Sequence, residues 1–146
     1  MTALDVALGL CREFEGFYSR PYLCPAGVPT IGYGTTYYQD GRRVTLADAP
    51  ISKTDAEALL RAQLQTVYLP QVMRLCPQID SEGRLGAILD FTYNLGASNL
   101  RVSTLRKRIN AGDWEAVPTE LAKWTRGGGK VLAGLVRRRA AESALI

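Results

Sequence analysis

At 146 residues, 47% hydrophobic and 22% charged, the chain can bury a core of its own, and it is too apolar and too weakly charged for a disordered polyelectrolyte. A net charge of +4 favours anionic partners, but the densest basic stretch, VRRRAAE, has no aromatic beside it, which argues against nucleic-acid binding. The count of zero histidines excludes Ser-His-Asp and Cys-His nucleophiles and His-rich zinc sites, so acid–base work falls to Glu, Asp, Cys, Tyr or Lys.

The N-terminal stretch MTALDVALGLCREFEG has no basic leader, and acids interrupt its apolar residues, so it does not read as a signal peptide. No apolar run reaches the length of a membrane span. Thr2 is placed to cap a helix whose apolar face is Leu4, Ala7, Leu8, Cys11 and Phe14, with Gly16 as its stop. Glu15 falls in the last turn.

From Tyr18 to about Leu46, prolines and glycines break any helix. Short β-prone pieces lie between them: PYLC, VPTIGYGTTYY and RRVTL, the last two joined by a turn at QDG. Ser52 opens a helix carrying Ala56, Leu59, Leu60, Leu64 and Val67, which kinks or ends near Leu69 because Pro70 follows. Asp80 and Ser81 open another, with Leu85, Ile88, Leu89 and Thr92 on one face and Gly96 as its stop. Shorter helices fit Val102–Asn110 and Trp114–Trp124, and RGGGK reads as a flexible break. A last helix from about Lys130 should turn Val131, Leu132, Leu135 and Val136 inward and Arg137–Arg139 toward solvent or a partner.

One helix, a small sheet, then a helical bundle is an α+β layout, with a β-rich lobe at about 18–50 and a helical lobe at about 52–146 of one domain. A ligand cleft belongs between them, and Glu15 would border it. Cys11, Cys24 and Cys76 have no CxxC spacing and no secretory context, so they read as free thiols, with Cys76 in the core.

Eight residues separate Glu15 from Cys24, and five separate Cys24 from Thr30. This spacing resembles that of the phage-type lysozymes, glycoside hydrolase family 24, whose motif runs Glu, eight residues, Asp or Cys, five residues, Thr, into a hairpin such as TIGYG. EFEGF, ILDFTYNLG, STLRKRINAGDW and KWTRGGGKVLAGLVRRRAAE extend the likeness in order over nearly the whole chain. The resemblance implies a lysozyme-like fold with an N-terminal helix and a small β-hairpin lobe on a larger helical bundle. It implies a muramidase cutting the β-1,4 bond between N-acetylmuramic acid and N-acetylglucosamine in peptidoglycan glycan strands, with no metal and no cofactor.

Glycosidic cleavage needs an acid at the leaving oxygen and a second group that places water or stabilises the cation. Glu15 fits the acid, with burial by Phe14 and the hairpin raising its proton affinity; a solvated helix-end glutamate is the plain alternative. Cys24 stands where the family more often has Asp. As a thiolate, favoured by a neighbour such as Arg20, it could act as base, as electrostatic stabiliser or as nucleophile; as a thiol it could only help the Thr30 hydroxyl position water. Tyr33 and Gly34 are candidates to bind sugar, and the resemblance adds Thr36, Tyr93 and Thr104 as substrate-binding positions. An arginine of LVRRRAAE, whichever of the three, is a candidate to orient Glu15.

With no signal peptide read at the N-terminus and nothing that requires more than a monomer, the expectation is a monomer held in the host cytoplasm before lysis, reaching the wall on the periplasmic side after permeabilisation of the membrane by a holin or other lesion. The rival readings are a lytic transglycosylase giving anhydro-muramic products, which needs one Glu and no Asp, and a non-catalytic basic protein that binds wall or membrane.

Overall fold

Thr2 opens helix α1 (Ala3–Glu15) with a reciprocal cap: its hydroxyl accepts from the Asp5 N–H at 3.2 Å, and the Asp5 carboxylate accepts from the Thr2 N–H at 3.1 Å. A computed structural model describes residues 1–146. After Gly16 the chain enters strand β1 (Tyr18–Leu23), which pairs antiparallel with β2 (Pro29–Gly32) in the register Tyr22↔Thr30. Their turn is held by the Cys24 N–H to the Val28 carbonyl at 3.1 Å and the Gly27 N–H to the Cys24 carbonyl at 2.8 Å.

The turn expected at QDG forms, with the Gly41 N–H on the Tyr38 carbonyl at 3.0 Å. The strand expected over RRVTL does not: only a single bridge, Tyr37↔Arg43, remains. Side chains organise this segment instead. The Asp48 carboxylate accepts from the Tyr38 hydroxyl at 2.6 Å and from the Thr45 N–H at 2.9 Å, and Arg42 lies 4.4 Å from the Tyr38 ring.

Ser52 caps α2 (Lys53–Gln63), accepting from the Asp55 N–H at 3.0 Å. Pro70 was expected to kink or end this helix, and the chain absorbs it differently. A π turn (Leu64–Tyr68) widens the helix, with the Leu69 N–H reaching back to the Leu64 carbonyl, and Pro70 then falls in the first turn of α3 (Leu69–Leu75), where its missing N–H leaves no gap. Ser81 caps α4 (Glu82–Leu95) by accepting from the Arg84 N–H at 3.1 Å. Every residue of α4 from Gly86 to Thr92 is buried, which makes it the central helix. It crosses α1 so closely that a Cβ on Gly86 would lie 2.5 Å from Val6.

A separate short helix, α5 (Ala97–Val102), precedes the helix expected over Val102–Asn110, which forms as α6 (Thr104–Asn110), where the Ser103 hydroxyl caps it by accepting from the Arg106 N–H at 3.0 Å. Trp114–Trp124 is a 3₁₀ turn (Trp114–Ala116) followed by α7 (Val117–Leu121). RGGGK is no flexible break. It forms a two-residue hairpin between β3 (Arg126–Gly127) and β4 (Lys130–Val131), with Gly128 and Gly129 at φ +58° and +82° as the tight turn requires.

The last helix, α8 (Ala133–Ser143), corrects the sequence reading most. Val131, Leu132 and Val136, expected inward, are 55%, 41% and 44% exposed, whereas Arg138 and Arg139 are 3% and 1% exposed. The apolar count misled because the helix buries its charges against carboxylates from other elements. Leu60, Leu64, Ile88, Leu89, Phe91 and Leu121 fill the core beside them.

Candidate active site

Glu15 ends α1 at the point where the chain turns into β1, and its side chain is 21% exposed. The Arg138 guanidinium donates from Nη1 to Glu15 Oε2. The other donors of Arg138 are committed: Nε donates to Asp90 Oδ2 at 3.0 Å and Nη2 to Asp90 Oδ1 at 2.7 Å. The Cys11 thiol also donates to Asp90 Oδ1, at 3.2 Å. A buried cation thus stands at the Glu15 carboxylate, as the sequence reading allowed for one arginine of LVRRRAAE, beside the apolar surroundings expected from Phe14 and the hairpin. Of the three arginines of LVRRRAAE it is Arg138 that meets Glu15; Arg137 is exposed, and Arg139 binds Asn94 at 2.7 Å and Glu142 at 3.0 Å.

Gly34 closes the other side of Glu15. A Cβ there would lie 3.0 Å from Glu15 Oε1 and 3.2 Å from the Tyr93 hydroxyl, and the backbone has φ +81°. Gly34 lines a cavity of about 540 Å³ with Thr36, Tyr37, Gln63 and Tyr68. Glu15 lines a second, of about 560 Å³, with Phe14, Asn94, Leu135, Arg137 and Arg138. Gly34 and Glu15, which abut, thus line one cavity each. Gly34→Ala should therefore lower turnover at least about tenfold and destabilise the fold by about 1–2 kcal/mol, since the side chain needs both the left-handed backbone and the space of Oε1. Turnover assays and thermal melts check this; a wild-type rate in the alanine variant would remove Gly34 from the site.

Cys24 lies half-buried at the start of the β1–β2 turn. The Val28 N–H first, then the Ala26 N–H and the Thr30 hydroxyl, outweigh partial burial and hold its thiol below the ordinary value. The turn's own backbone does what the sequence reading looked for in Arg20. Thr30 is buried opposite Tyr22 in the hairpin, and its hydroxyl donates to the Val28 carbonyl at 2.9 Å.

The remaining candidates divide. Tyr33 is 3% exposed with its ring 5.6 Å from that of Phe17, so its side chain faces the core and offers no platform for a sugar. Tyr93 donates its hydroxyl to the Tyr33 carbonyl at 2.6 Å and pins the hairpin to α4; burial, then Glu15, pushes its phenol well up. Thr36 borders the first cavity. Thr104 is exposed at the start of α6 and borders neither. Tyr22 went unnoticed in the sequence. Its ring stacks 4.2 Å from that of Tyr18, and burial first, then Tyr18, Glu15 and Cys24, push its phenol up. Asp90 and Glu142 were also missed. No group of three or more Asp, Glu or Cys side chains is arranged to hold a metal ion; the carboxylates behind Glu15 are taken by two guanidiniums.

Residues 12–142 match the phage lysozyme family. The chain is 33% identical to the endolysin of Bacillus phage B103 over 145 residues, which is 99% of this chain and 54% of that protein, so it spans about half the length of that relative. It is 33% identical to the endolysin of Acyrthosiphon pisum secondary endosymbiont phage 1, covering 97% of this chain and 94% of the relative. Among solved structures, the endolysin from Escherichia coli O157:H7 phage FAHEc1 superposes with a TM-score of 0.86 at 30% identity, covering 99% of this chain and 92% of the other.

Proposed function

The chain belongs to the phage lysozyme family, and from that membership and the geometry around Glu15 we propose that it is an endolysin, a muramidase that hydrolyses the β-1,4 bond between N-acetylmuramic acid and N-acetylglucosamine in peptidoglycan. The observation that carries the reading is the division of labour between the two oxygens of Glu15. Oε2 is held by Arg138, while Oε1 lies against Gly34, which lines the first cavity. Oε1 is therefore the atom that gives its proton to the leaving glycosidic oxygen, and the fixed guanidinium stabilises the carboxylate that results.

Cys24 supplies the second group. Its sulfur, surrounded by the N–H groups of Val28 and Ala26 and by the Thr30 hydroxyl, stabilises positive charge developing at the sugar or activates the attacking water as a thiolate. Thr30 has one hydroxyl proton, which serves the Val28 carbonyl or the thiolate. The protein works as a monomer on the glycan strands of the wall. It reaches them from the cytoplasm through a membrane lesion of the kind a holin makes; no helix of the chain is long and apolar enough to cross a membrane.

Cys24→Asp tests the thiolate role. The thiol ionises below its ordinary value but above that of a carboxyl, so the active fraction of wild type grows with pH while that of the aspartate variant stays full. The rate of Cys24→Asp divided by that of wild type should be largest at acid pH and fall as pH rises toward the thiol's titration. A ratio flat from acid to alkaline pH would remove the thiolate from the mechanism.

A further inference from the structure

The chain has seven tyrosines, and all but two are engaged by other parts of the protein. Tyr33 faces the core, Tyr93 gives its hydroxyl to the Tyr33 carbonyl, and Tyr68 meets the Tyr93 ring edge-on at 5.1 Å. The Arg43 guanidinium lies over the Tyr37 ring at 5.0 Å, and that of Arg42 over the Tyr38 ring at 4.4 Å. Tyr18 and Tyr22 engage each other instead, with ring centroids 4.2 Å apart and planes 31° apart, and Tyr18 remains 47% exposed. Tyr22 thus covers one face of the Tyr18 ring and leaves the other open. Four residues of regular strand would hold the two about 13 Å apart, so the stack depends on the register shift that separates Tyr18 from Tyr22 in β1.

The pair lies between the two candidate catalytic groups. The Tyr18 ring reaches Gly16, the residue after Glu15: a Cβ there would meet Tyr18 Cε2 at 3.8 Å. Tyr22 pairs directly across the hairpin with Thr30, so the two side chains share one face of the sheet. The Thr30 hydroxyl donates to the Val28 carbonyl at 2.9 Å, and the Cys24 N–H donates to the same carbonyl at 3.1 Å. The rings therefore run along β1 from the end of α1, where Glu15 stands, to the turn that begins at Cys24.

A pyranose ring carries an apolar face of C–H groups, which suits the open face of an aromatic ring, while the phenol hydroxyl offers a polar tip to its hydroxyls. A tyrosine already held against a second one makes that contact with little loss of freedom. We infer that the Tyr18–Tyr22 pair is a platform for a sugar ring of the glycan strand beside the bond being cut, with Tyr18 making the contact and Tyr22 holding it in place. The inference rests on the muramidase reading, which supplies the glycan.

The test compares Tyr18→Ala, Tyr18→Leu and Tyr18→Phe with wild type on purified peptidoglycan, with kcat and KM as readouts. Cosedimentation with the same peptidoglycan, each change made in the Glu15→Gln background, reads binding without cleavage. A platform that holds the sugar equally before and during the reaction acts on KM. The alanine and leucine variants should therefore raise KM about 3- to 10-fold and weaken cosedimentation to the same extent, with kcat within about twofold of wild type. The phenylalanine variant keeps the flat ring and should stay within about twofold of wild type in both. Tyr18 is half-exposed, so melting temperatures should stay within about 4 °C of wild type; if alanine loosens the hairpin, leucine, which keeps apolar bulk without a flat face, carries the same expectation. Wild-type KM and cosedimentation in the leucine variant, with Glu15→Gln inactive, would overturn the platform and leave the muramidase reading intact. A loss confined to kcat would also overturn it, because the pair would then only support the hairpin. Full activity in Glu15→Gln would instead remove the reading on which the inference stands.

Discussion

Glu15→Gln should lower the release of soluble fragments from peptidoglycan by about 10³- to 10⁴-fold, equivalent to about 4–5.5 kcal/mol of transition-state stabilisation. The amide cannot give a proton to the leaving oxygen, yet its carbonyl still accepts from Arg138, so the contact that fixes the side chain survives. Thermal melts should therefore place the variant within about 1 kcal/mol of wild type. Activity and stability part company here, and that separation identifies a chemical role. A folded glutamine variant that cuts the wall at the wild-type rate would show that the lytic action comes from binding alone.

Arg138→Met should lose both. It strips the two-point partner from Asp90, which is 0% exposed, and leaves an uncompensated buried charge. The expected cost is about 3–5 kcal/mol, or about 6–20 °C in melting temperature for a chain of this size. Turnover should fall about 10²-fold as Glu15 loses its orientation. The double variant Arg138→Met, Asp90→Leu distinguishes the two effects. Replacing a buried ion pair with apolar side chains is often close to neutral, so most of the stability should return. The activity should not, because nothing then holds Oε2. Recovery of activity alongside stability would make Arg138 a structural residue only, and an unchanged melting temperature in the single variant would contradict its burial.

The legible part of the site was local. The reach from Glu15 through Cys24 to Thr30 is one helix end and one hairpin turn, and glycine and proline punctuation locates both in the sequence. The capped starts at Thr2, Ser52 and Ser81 were legible for the same reason, since each cap is closed within three residues. What failed was long-range. Arg138 and Asp90 lie 48 residues apart, and neither carries a mark of the other. Without that pairing, Arg138 and Arg139 looked like a solvated face and the valines and leucines around them like an inward one. Tyr33 was misjudged because a flat aromatic in the hairpin suits a sugar by type alone, whereas Thr30, Ile31 and Tyr33 are all buried. Pro70 was read as a break because the π turn that absorbs it leaves no residue signature.

Mass spectrometry of the fragments that the reduced protein releases from purified peptidoglycan tests the account most directly. The account predicts disaccharide peptides with N-acetylmuramic acid at a reducing end, formed by wild type and absent with Glu15→Gln. Fragments ending in anhydro-muramic acid, or no fragments from wild type, would contradict it: the first would make the same glutamate serve a transglycosylase, and the second would leave the spacing of Glu15, Cys24 and Thr30 without catalysis.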